Sequence, residues 1–309
     1  AGKAALAESM RTDPTIWAVG EDLGRGGVFG QYMGLEDEFG PERIVSAPIS
    51  EAAIMGSAVG GALTGTRPVV ELRFADFALC AVDEMVNQAA KARYMFGGQA
   101  KVPLVIRQPS GMWRSSAAQH SQMLEAWYAH IPGMVVIMPS TPADNYGLLK
   151  AAIECDDPVV YMEHKDLWGL EGEVPPDHKV EIGKASVVSK GSDVTIVTWS
   201  KSRHVATEAM SKLAGVSVEL IDLRSLWPWD RDCVLSSAAR TGHLLVAHEA
   251  VRDGGFGAEV VATAAEEIPG LKVARLGAPR IPIPYAPPLE DTVRVTAEDI
   301  AAAVKRIAG

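Results

Sequence analysis

Residues 47–65 read APISEAAIMGSAVGGALTG and lie between two short apolar segments that are typical of β-strands. The first of these is RIVSAP at residues 43–48, and the second is PVVELRF at residues 68–74. The residues between them are small and aliphatic over a length that suits a helix. Two strands joined by a helix form the repeating unit of a parallel sheet, so this stretch predicts an α/β fold.

The same alternation of strand and helix continues through the chain. Continuous Val/Ile runs, such as those at residues 102–107 and 134–138, favour strands of a parallel sheet that is covered on both faces. Residues 167–184 are rich in Gly, Pro and charge and predict a linker, after which the pattern restarts. We therefore expect two parallel-sheet α/β domains, at residues 1–175 and 185–309.

Four local features are also predicted from the pattern. A helix is expected from about Asp76 to Met95, and a second is expected to open at the QHSQ segment, residues 119–122. The LRSLWPWDRD segment, residues 223–232, predicts a rigid Trp/Pro loop in the second domain. Thr296, followed three residues later by Asp299, predicts the cap of a closing helix.

The composition of the chain restricts its function. The formal net charge of −10 over 309 residues argues against a nucleic-acid surface and against attraction to an anionic membrane. No apolar run approaches the ~18 residues that span a bilayer. Cys80, Cys155 and Cys233 are far apart and predict neither a zinc site nor a disulfide framework. These features predict a globular cytoplasmic protein, with an organelle matrix as the alternative.

Glu51 opens the predicted helix of the 47–65 stretch, with Ser50 as a favourable N-cap residue. One explanation is that an acid in the first turn interacts well with the helix dipole. However, the glycines that follow each cost a helix ~0.5–1 kcal/mol relative to alanine, which suggests that another group approaches the helix backbone closely. No cation is near Glu51 in the sequence, so this carboxylate is also a candidate for contact with a ligand.

Long segments of the chain resemble the β subunit of the thiamine-diphosphate-dependent E1 component of 2-oxo acid dehydrogenases. The resemblance covers nearly the whole chain, and its most specific segments are residues 43–111, 117–165, 254–262 and 282–291. The family includes pyruvate, branched-chain and acetoin dehydrogenases. The resemblance implies that the first domain is a thiamine-diphosphate pyrimidine-binding domain and that the second is a transketolase C-terminal-like domain.

The resemblance implies catalytic roles for Glu51 and His120. Glu51 would bond N1′ of the aminopyrimidine ring and promote its reactive imino tautomer. His120 would face the reacting carbon, where an imidazole can donate a hydrogen bond or shuttle a proton near pH 7. Phe77 would stack on the pyrimidine ring, and Ile49 would line the same pocket. Arg73 would also contact the cofactor, although relatives often carry an uncharged residue at this position.

The loop before His120 departs from the family pattern. Relatives usually have small residues and glycines here, whereas residues 111–120 read GMWRSSAAQH. Met112, Trp113 and Arg114 are bulky and would reshape the entrance for the substrate. Arg114 would either pair with a substrate carboxylate or lie on the surface. The sequence therefore leaves open which 2-oxo acid or ketone is the substrate.

The resemblance further implies a potassium site formed by backbone oxygens. The segment AAIECDDP, residues 151–158, ends a predicted helix, and the free carbonyls at a helix C-terminus are suitable ligands for a hard cation. The alternative is an ordinary helix end followed by two exposed acids. The positions that match the family's ligands are Leu104, Ala152, Ile153, Cys155 and Asp157.

The chain lacks the GDG motif with which thiamine enzymes hold Mg²⁺ and the cofactor diphosphate. The resemblance therefore implies an α subunit that supplies both, in an α2β2 heterotetramer with the cofactor between α and β chains. It implies decarboxylation of a small 2-oxo acid and transfer of the acyl group to a lipoyl group on an E2 protein. The alternatives are a subunit of an acetoin-cleaving or carboligating enzyme and a non-catalytic assembly subunit.

Overall fold

The strands of the computed structural model, which describes residues 1–309, form two separate sheets. The strands are β1 (Ile16–Glu21), β2 (Ile44–Ala47), β3 (Arg67–Glu71), β4 (Val105–Ser110), β5 (Val135–Ile137), β6 (Val159–His164), β7 (Ser186–Ser189), β8 (Val194–Thr198), β9 (Val218–Asp222), β10 (Ser225–Trp227), β11 (His243–Val251) and β12 (Lys272–Ala278). The helices are α1 (Gly2–Thr12), α2 (Leu35–Phe39), α3 (Glu51–Leu63), α4 (Ala90–Met95), α5 (Glu125–Ala129), α6 (Pro142–Glu154), α7 (Lys201–Met210), α8 (Arg231–Thr241), α9 (Gly257–Glu267), α10 (Pro287–Val293) and α11 (Ala297–Ala308).

The first sheet has seven strands in the order β10-β5-β6-β4-β3-β1-β2, and all pairs except β10 with β5 are parallel. Helices cover both of its faces. Val69 and Val105 pack with α1 and α6, whereas their neighbours Val70 and Ile106 pack with α3. Because successive strand residues point to opposite faces, this double cover explains the continuous Val/Ile runs.

The second sheet has five strands in the order β12-β11-β8-β9-β7, with β7 antiparallel at one edge. Helices α7 and α11 pack on one face, and α8 and α9 pack on the other. The residues of α8 and α9 belong to one cluster of 37 buried apolar residues that also contains the α3 side of the first domain. The structure therefore confirms the predicted pair of α/β units and shows that they share a core.

The prediction of a loop at residues 223–232 is wrong in part, because Ser225–Trp227 form strand β10. This strand leaves the second domain and pairs antiparallel with β5 of the first sheet, with Ser225 opposite Ile137 and Trp227 opposite Val136. Leu226 is fully buried there. The open edge of β5 supplies the hydrogen-bonding partners that turn a short Trp/Pro segment into a strand.

The remaining local predictions have mixed outcomes. The capping box of Thr296 and Asp299 at α11 is confirmed. The Asp76–Met95 helix is divided into a 3₁₀ turn at Phe77–Ala81, a π turn at Glu84–Ala89 and α4.

One predicted helix start is wrong, and another lies where predicted but lacks its side-chain cap. No helix opens at residues 119–122, because α5 begins only at Glu125. Ser50 precedes α3, but its hydroxyl donates to the Pro48 carbonyl at 2.9 Å and does not cap the helix.

Candidate active site

The predicted site residues come from loops at one edge of the first sheet. Arg73 and Phe77 follow β3 at this edge, where the neighbouring strand β1 ends at Glu21. His120 follows β4 by ten residues, and Glu51 begins α3 directly after β2. Since the carboxyl ends of parallel strands meet at the same edge, the sheet brings these side chains together.

Glu51 is half-buried at the first position of α3 and makes no hydrogen bond or ion pair within the chain. It lies near Glu21, a buried side chain. Burial raises the pKa of Glu21, Arg73 opposes that rise, and the charges of Glu51 and Asp22 add to it. The carboxylate of Glu51 is therefore available to a group from outside this chain.

Arg73 neutralises Glu21 and Asp22, the two acids at the C-terminal end of β1. Its Nε lies 3.3 Å from Oε2 of Glu21, and its Nη2 donates to Oδ2 of Asp22 at 3.0 Å. Asp22 has a left-handed backbone, with φ of 57°, at the turn after β1. Arg73 thus lies at the site, but its charge is engaged by two neighbouring side chains.

The outer face of α3 is made of small residues that the chain itself does not cover. Ala52, Ala53, Gly56 and Gly60 are all exposed. A Cβ added at Gly60 would meet no atom within 4 Å, and one at Gly56 would meet only the Glu84 side chain, at 3.9 Å. The packing of this chain therefore does not explain why these positions are glycine.

Two of the predicted cofactor contacts flank this face. The Ile49 side chain is 75% exposed just before α3. Phe77 is half-buried in the turn that packs against α3. Both apolar side chains therefore remain accessible beside the free carboxylate of Glu51.

His120 is held between two aromatic rings. Its imidazole makes edge contacts with Phe74 and Phe77 at centroid distances of 4.8 and 5.2 Å. The structure therefore brings His120 and Phe77, which are 43 residues apart in the sequence, into direct contact.

An aromatic wall extends from His120 toward the surface. Phe29 contacts Phe74 at 5.7 Å, Trp113 at 6.0 Å and Trp168 at 4.4 Å. Trp113 thus turns inward from the unusual loop. Arg114 is exposed, with its guanidinium 4.9 Å from the centre of the Trp113 ring.

The comparisons with known proteins agree on the family and the fold of this chain. Residues 1–169 match the family described as "Transketolase, pyrimidine binding domain", and residues 183–300 match "Transketolase, C-terminal domain". The chain is 42% identical to the acetoin:2,6-dichlorophenolindophenol oxidoreductase subunit beta of Cupriavidus necator, over 98% of this chain and 94% of the relative. It is 40% identical to the 2-oxoisovalerate dehydrogenase subunit beta of Bacillus subtilis, over 98% and 96%.

The chain belongs to the E1 β-subunit family of thiamine-diphosphate-dependent 2-oxo acid dehydrogenases. Another relative in this family is the mitochondrial pyruvate dehydrogenase E1 component subunit beta-2 of Oryza sativa subsp. japonica, 41% identical over 98% of this chain and 83% of the relative. A solved structure titled "Split gene transketolase, inactive beta4 tetramer" superposes with a TM-score of 0.84 at 27% identity, covering 99% of this chain and 96% of that one. The family membership that the sequence resemblance implies is confirmed.

No helix of this E1 β-family chain has both the length and the apolar character needed to cross a membrane.

The carbonyls of the predicted potassium site already accept hydrogen bonds. Arg67 Nη1 donates to the carbonyls of Ile153 and Cys155 at 3.0 and 3.1 Å. The Leu104 carbonyl accepts from the Val159 N–H at 2.8 Å. Each carbonyl keeps a second lone pair, so these bonds restrict a cation site without filling it.

The remaining two positions lie at the same helix end. The Ala152 carbonyl accepts from the Cys155 N–H at 3.2 Å. The Asp157 carboxylate pairs with Arg93 at 2.6 Å. The potassium site therefore stays a prediction.

Several residues of the site were not predicted from the sequence. Phe29, Phe74 and Trp168 form the aromatic wall, and Lys165 is buried beside His120. Burial lowers the pKa of Lys165 to about 8, with Asp76 and other nearby acids opposing that change. The sequence carries a signal of buried charge here, since Glu163, His164 and Lys165 directly follow the apolar residues of β6, but that signal does not indicate contact with the loop of His120.

Proposed function

We propose that this chain is the β subunit of a heteromeric thiamine-diphosphate-dependent E1 enzyme that decarboxylates a small 2-oxo acid. The observation that carries the proposal is the unpaired carboxylate of Glu51 at the start of a helix whose outer glycines have no partner in the chain. Such an arrangement fits a flat ring that packs against α3 and meets the carboxylate at its edge.

The chain's own residues would bind and orient the cofactor ring. Glu51 would hydrogen-bond N1′ and hold the pyrimidine in its reactive tautomer. Phe77 would stack on the ring, and Ile49 would cover its edge. Arg73 would act through Glu21 and Asp22, since both of these acids engage its guanidinium.

His120 would act on the substrate. When bound, thiamine diphosphate would supply the nucleophilic thiazolium carbon needed to decarboxylate a 2-oxo acid, with Glu51, Phe77 and Ile49 holding its pyrimidine ring. The imidazole of His120 would donate a hydrogen bond to the substrate oxygen and move protons near neutral pH. The rings of Phe74 and Phe77 restrict its orientation and limit the access of water.

An α subunit would complete the site. It would bring Mg²⁺ and the diphosphate contacts in an α2β2 heterotetramer, and a lipoyl-bearing E2 would accept the acyl group. The exposed Ile49 and the exposed small-residue face of α3 support such an interface, because a large apolar side chain beside uncovered glycines favours close packing with another chain. The three cysteines are free thiols, and we place the protein in the cytoplasm on that basis.

Reconstitution with an α-type chain that carries the GDG motif tests the proposal. The complex should release CO₂ from a 2-oxo acid, and His120→Ala should reduce kcat by roughly 100-fold or more. Full turnover after Glu51→Ala would overturn the proposal and favour a non-catalytic assembly subunit.

An acetoin-cleaving or carboligating activity is a second candidate. Trp113 and Arg114 favour it, because they place a bulky ring and a cation where the family usually has small residues. Parallel assays with pyruvate, 3-methyl-2-oxobutanoate and acetoin separate the two candidates by their kcat/KM values.

We also propose a bound potassium ion at the carbonyls of Leu104, Ala152, Ile153, Cys155 and Asp157. Melting curves in KCl and NaCl at equal ionic strength test this proposal. Stabilisation by potassium alone supports it, and identical curves count against it.

A further inference from the structure

The loop that carries His120 is fixed at both ends by buried charged side chains. At its start, the Met112 N–H donates to Oε1 of Glu249 at 2.6 Å. At its end, Nζ of Lys165 donates to the backbone carbonyl of His120. Lys165 is 2% exposed and Glu249 is 9% exposed, so both side chains are shielded from bulk solvent.

The two attachment points are connected to each other. The His164 imidazole lies 3.1 and 3.0 Å from the two carboxylate oxygens of Glu249, and His164 directly precedes Lys165 at the end of β6. Burial alone would raise the pKa of Glu249, but His164 and the Met112 N–H lower it to about 2. The end of β6 thus supports the loop start through Glu249 of the second domain and the loop end through Lys165.

The loop between these points has an unfavourable backbone. Arg114, Ser115 and Ala117 have φ values of 46°, 57° and 64°. Residues with a Cβ rarely adopt this left-handed region, and such conformations persist only where the surroundings enforce them. The Trp113 ring, packed on Phe29 and Trp168, is a third attachment inside the loop.

We propose that Lys165 and Glu249 are positioning residues that hold the strained loop of residues 112–120 in the conformation that directs His120 toward the substrate. Each side chain is buried and bonded to the backbone of the loop, so it acts on the loop conformation. The inference rests on the proposed function for its effect on turnover, whereas the attachment of the loop is defined by the contacts alone.

Tryptic cleavage after Arg114 measures the loop directly in the full-length chain. Arg114 is exposed, but cleavage requires the tight loop to open into an extended conformation. Lys165→Met removes the donor to the His120 carbonyl, and Glu249→Gln removes the charge that strengthens the bonds to the Met112 N–H and to His164. Each substitution should increase the cleavage rate at Arg114 by roughly 10-fold to 100-fold. Cleavage at exposed basic sites elsewhere in the chain should stay unchanged.

Two further variants serve as controls. Lys212→Met removes a surface lysine that pairs with Glu298 at 2.6 Å and should change the Arg114 cleavage rate by less than about 2-fold. Lys165→Arg keeps the buried positive charge and should restore most of the protection. If Lys165→Met does not fold, Glu249→Gln alone tests the attachment of the loop, because it changes the contact at the loop start.

The αβ complex provides the second measurement. Lys165→Met and Glu249→Gln should lower kcat by about 10-fold or more while KM changes by less than about 3-fold, because the loop orients His120 rather than binding the substrate. Unchanged cleavage in both variants overturns the inference, as does faster cleavage with unchanged kcat. His120→Ala measured in parallel shows separately whether the proposed role of His120 has failed.

Discussion

The two segments that supply Glu51 and His120 are built in opposite ways. Glu51 opens a regular helix whose inner face packs on the sheet through Ile54, Met55 and Ala58. His120 ends an irregular loop with three non-glycine residues in left-handed backbone, held by side chains from distant segments. Local sequence is therefore enough to place the first residue, whereas the second depends on the assembled fold.

The largest expected effect in this comparison comes from Glu51→Gln. The amide keeps the size of the side chain but cannot hold a proton for N1′, so kcat of the αβ complex should fall by roughly 100-fold to 10,000-fold. The melting temperature of the isolated chain should change little, since the carboxylate has no hydrogen-bond partner there and the substitution removes only its interaction with the helix dipole, about 0.3–1 kcal/mol. A fall in stability equal to that of a core mutation would show that Glu51 has a structural role instead.

Two adjacent glycines test whether the outer face of α3 is reserved for a partner. Gly61→Ala should destabilise the isolated chain by roughly 1–3 kcal/mol, because the new Cβ would lie 2.9 Å from the Trp17 ring. Gly60→Ala should stabilise it by about 0.5–1 kcal/mol, since no atom lies within 4 Å. Urea unfolding measures both values.

Gly60→Ala should also weaken association with the α subunit, which titration of the two chains would detect. Unchanged association would place the interface on another surface.

On the His120 side of the site, the stability of the fold should depend on pH through Glu125, the first residue of α5. Burial raises the pKa of this fully buried carboxyl to about 7, although Trp199 of the second domain donates to it at 3.2 Å. A folded-state pKa above the unfolded value means that its contribution to stability is largest at low pH and declines as pH rises toward 7.

Glu125→Gln should abolish that decline and raise stability at pH 8 by about 1–2 kcal/mol relative to its effect at pH 4.5. Urea unfolding at both pH values measures the difference. Parallel curves for the two proteins would mean that Glu125 stays ionised in the fold.

The smallest expected effect on stability concerns the backbone of the loop at residues 112–120. Ala117→Gly should stabilise the chain by about 0.5–1 kcal/mol, because glycine adopts the observed φ of 64° without steric cost. Ala118 does not have a positive φ, so Ala118→Gly should be neutral or slightly destabilising. Equal effects of the two substitutions on thermal unfolding would show that the left-handed conformation carries no strain.

The parts of the fold that the sequence predicts are those with local causes. The Thr296–Asp299 cap and the covered Val/Ile strands depend on neighbours within a few residues. Strand β10 was missed because its partner edge, β5, lies about ninety residues earlier in the chain. The Ser50 cap failed because the nearby Pro48 carbonyl competes for the same hydroxyl.

The site residues divide in the same way, into those that a local motif identifies and those that depend on distant segments. The family pattern identifies Glu51 and His120, since each lies in a specific motif. Lys165 and Glu249 lie 45 and 129 residues beyond His120 and meet the loop only after the two domains have packed. Neither has a spacing that points to the loop, so only the folded chain identifies them.

The crossing of β10 into the first sheet has a consequence for any attempt to divide this protein. A fragment that ends near residue 175 lacks its outermost strand and presents the bare rim of β5 to other chains, which invites edge-to-edge aggregation. A chimaera between two relatives would similarly need to take Ser225–Trp227 from the parent that provides the N-terminal half. The two halves of the gene product are therefore not interchangeable modules with a single cut point.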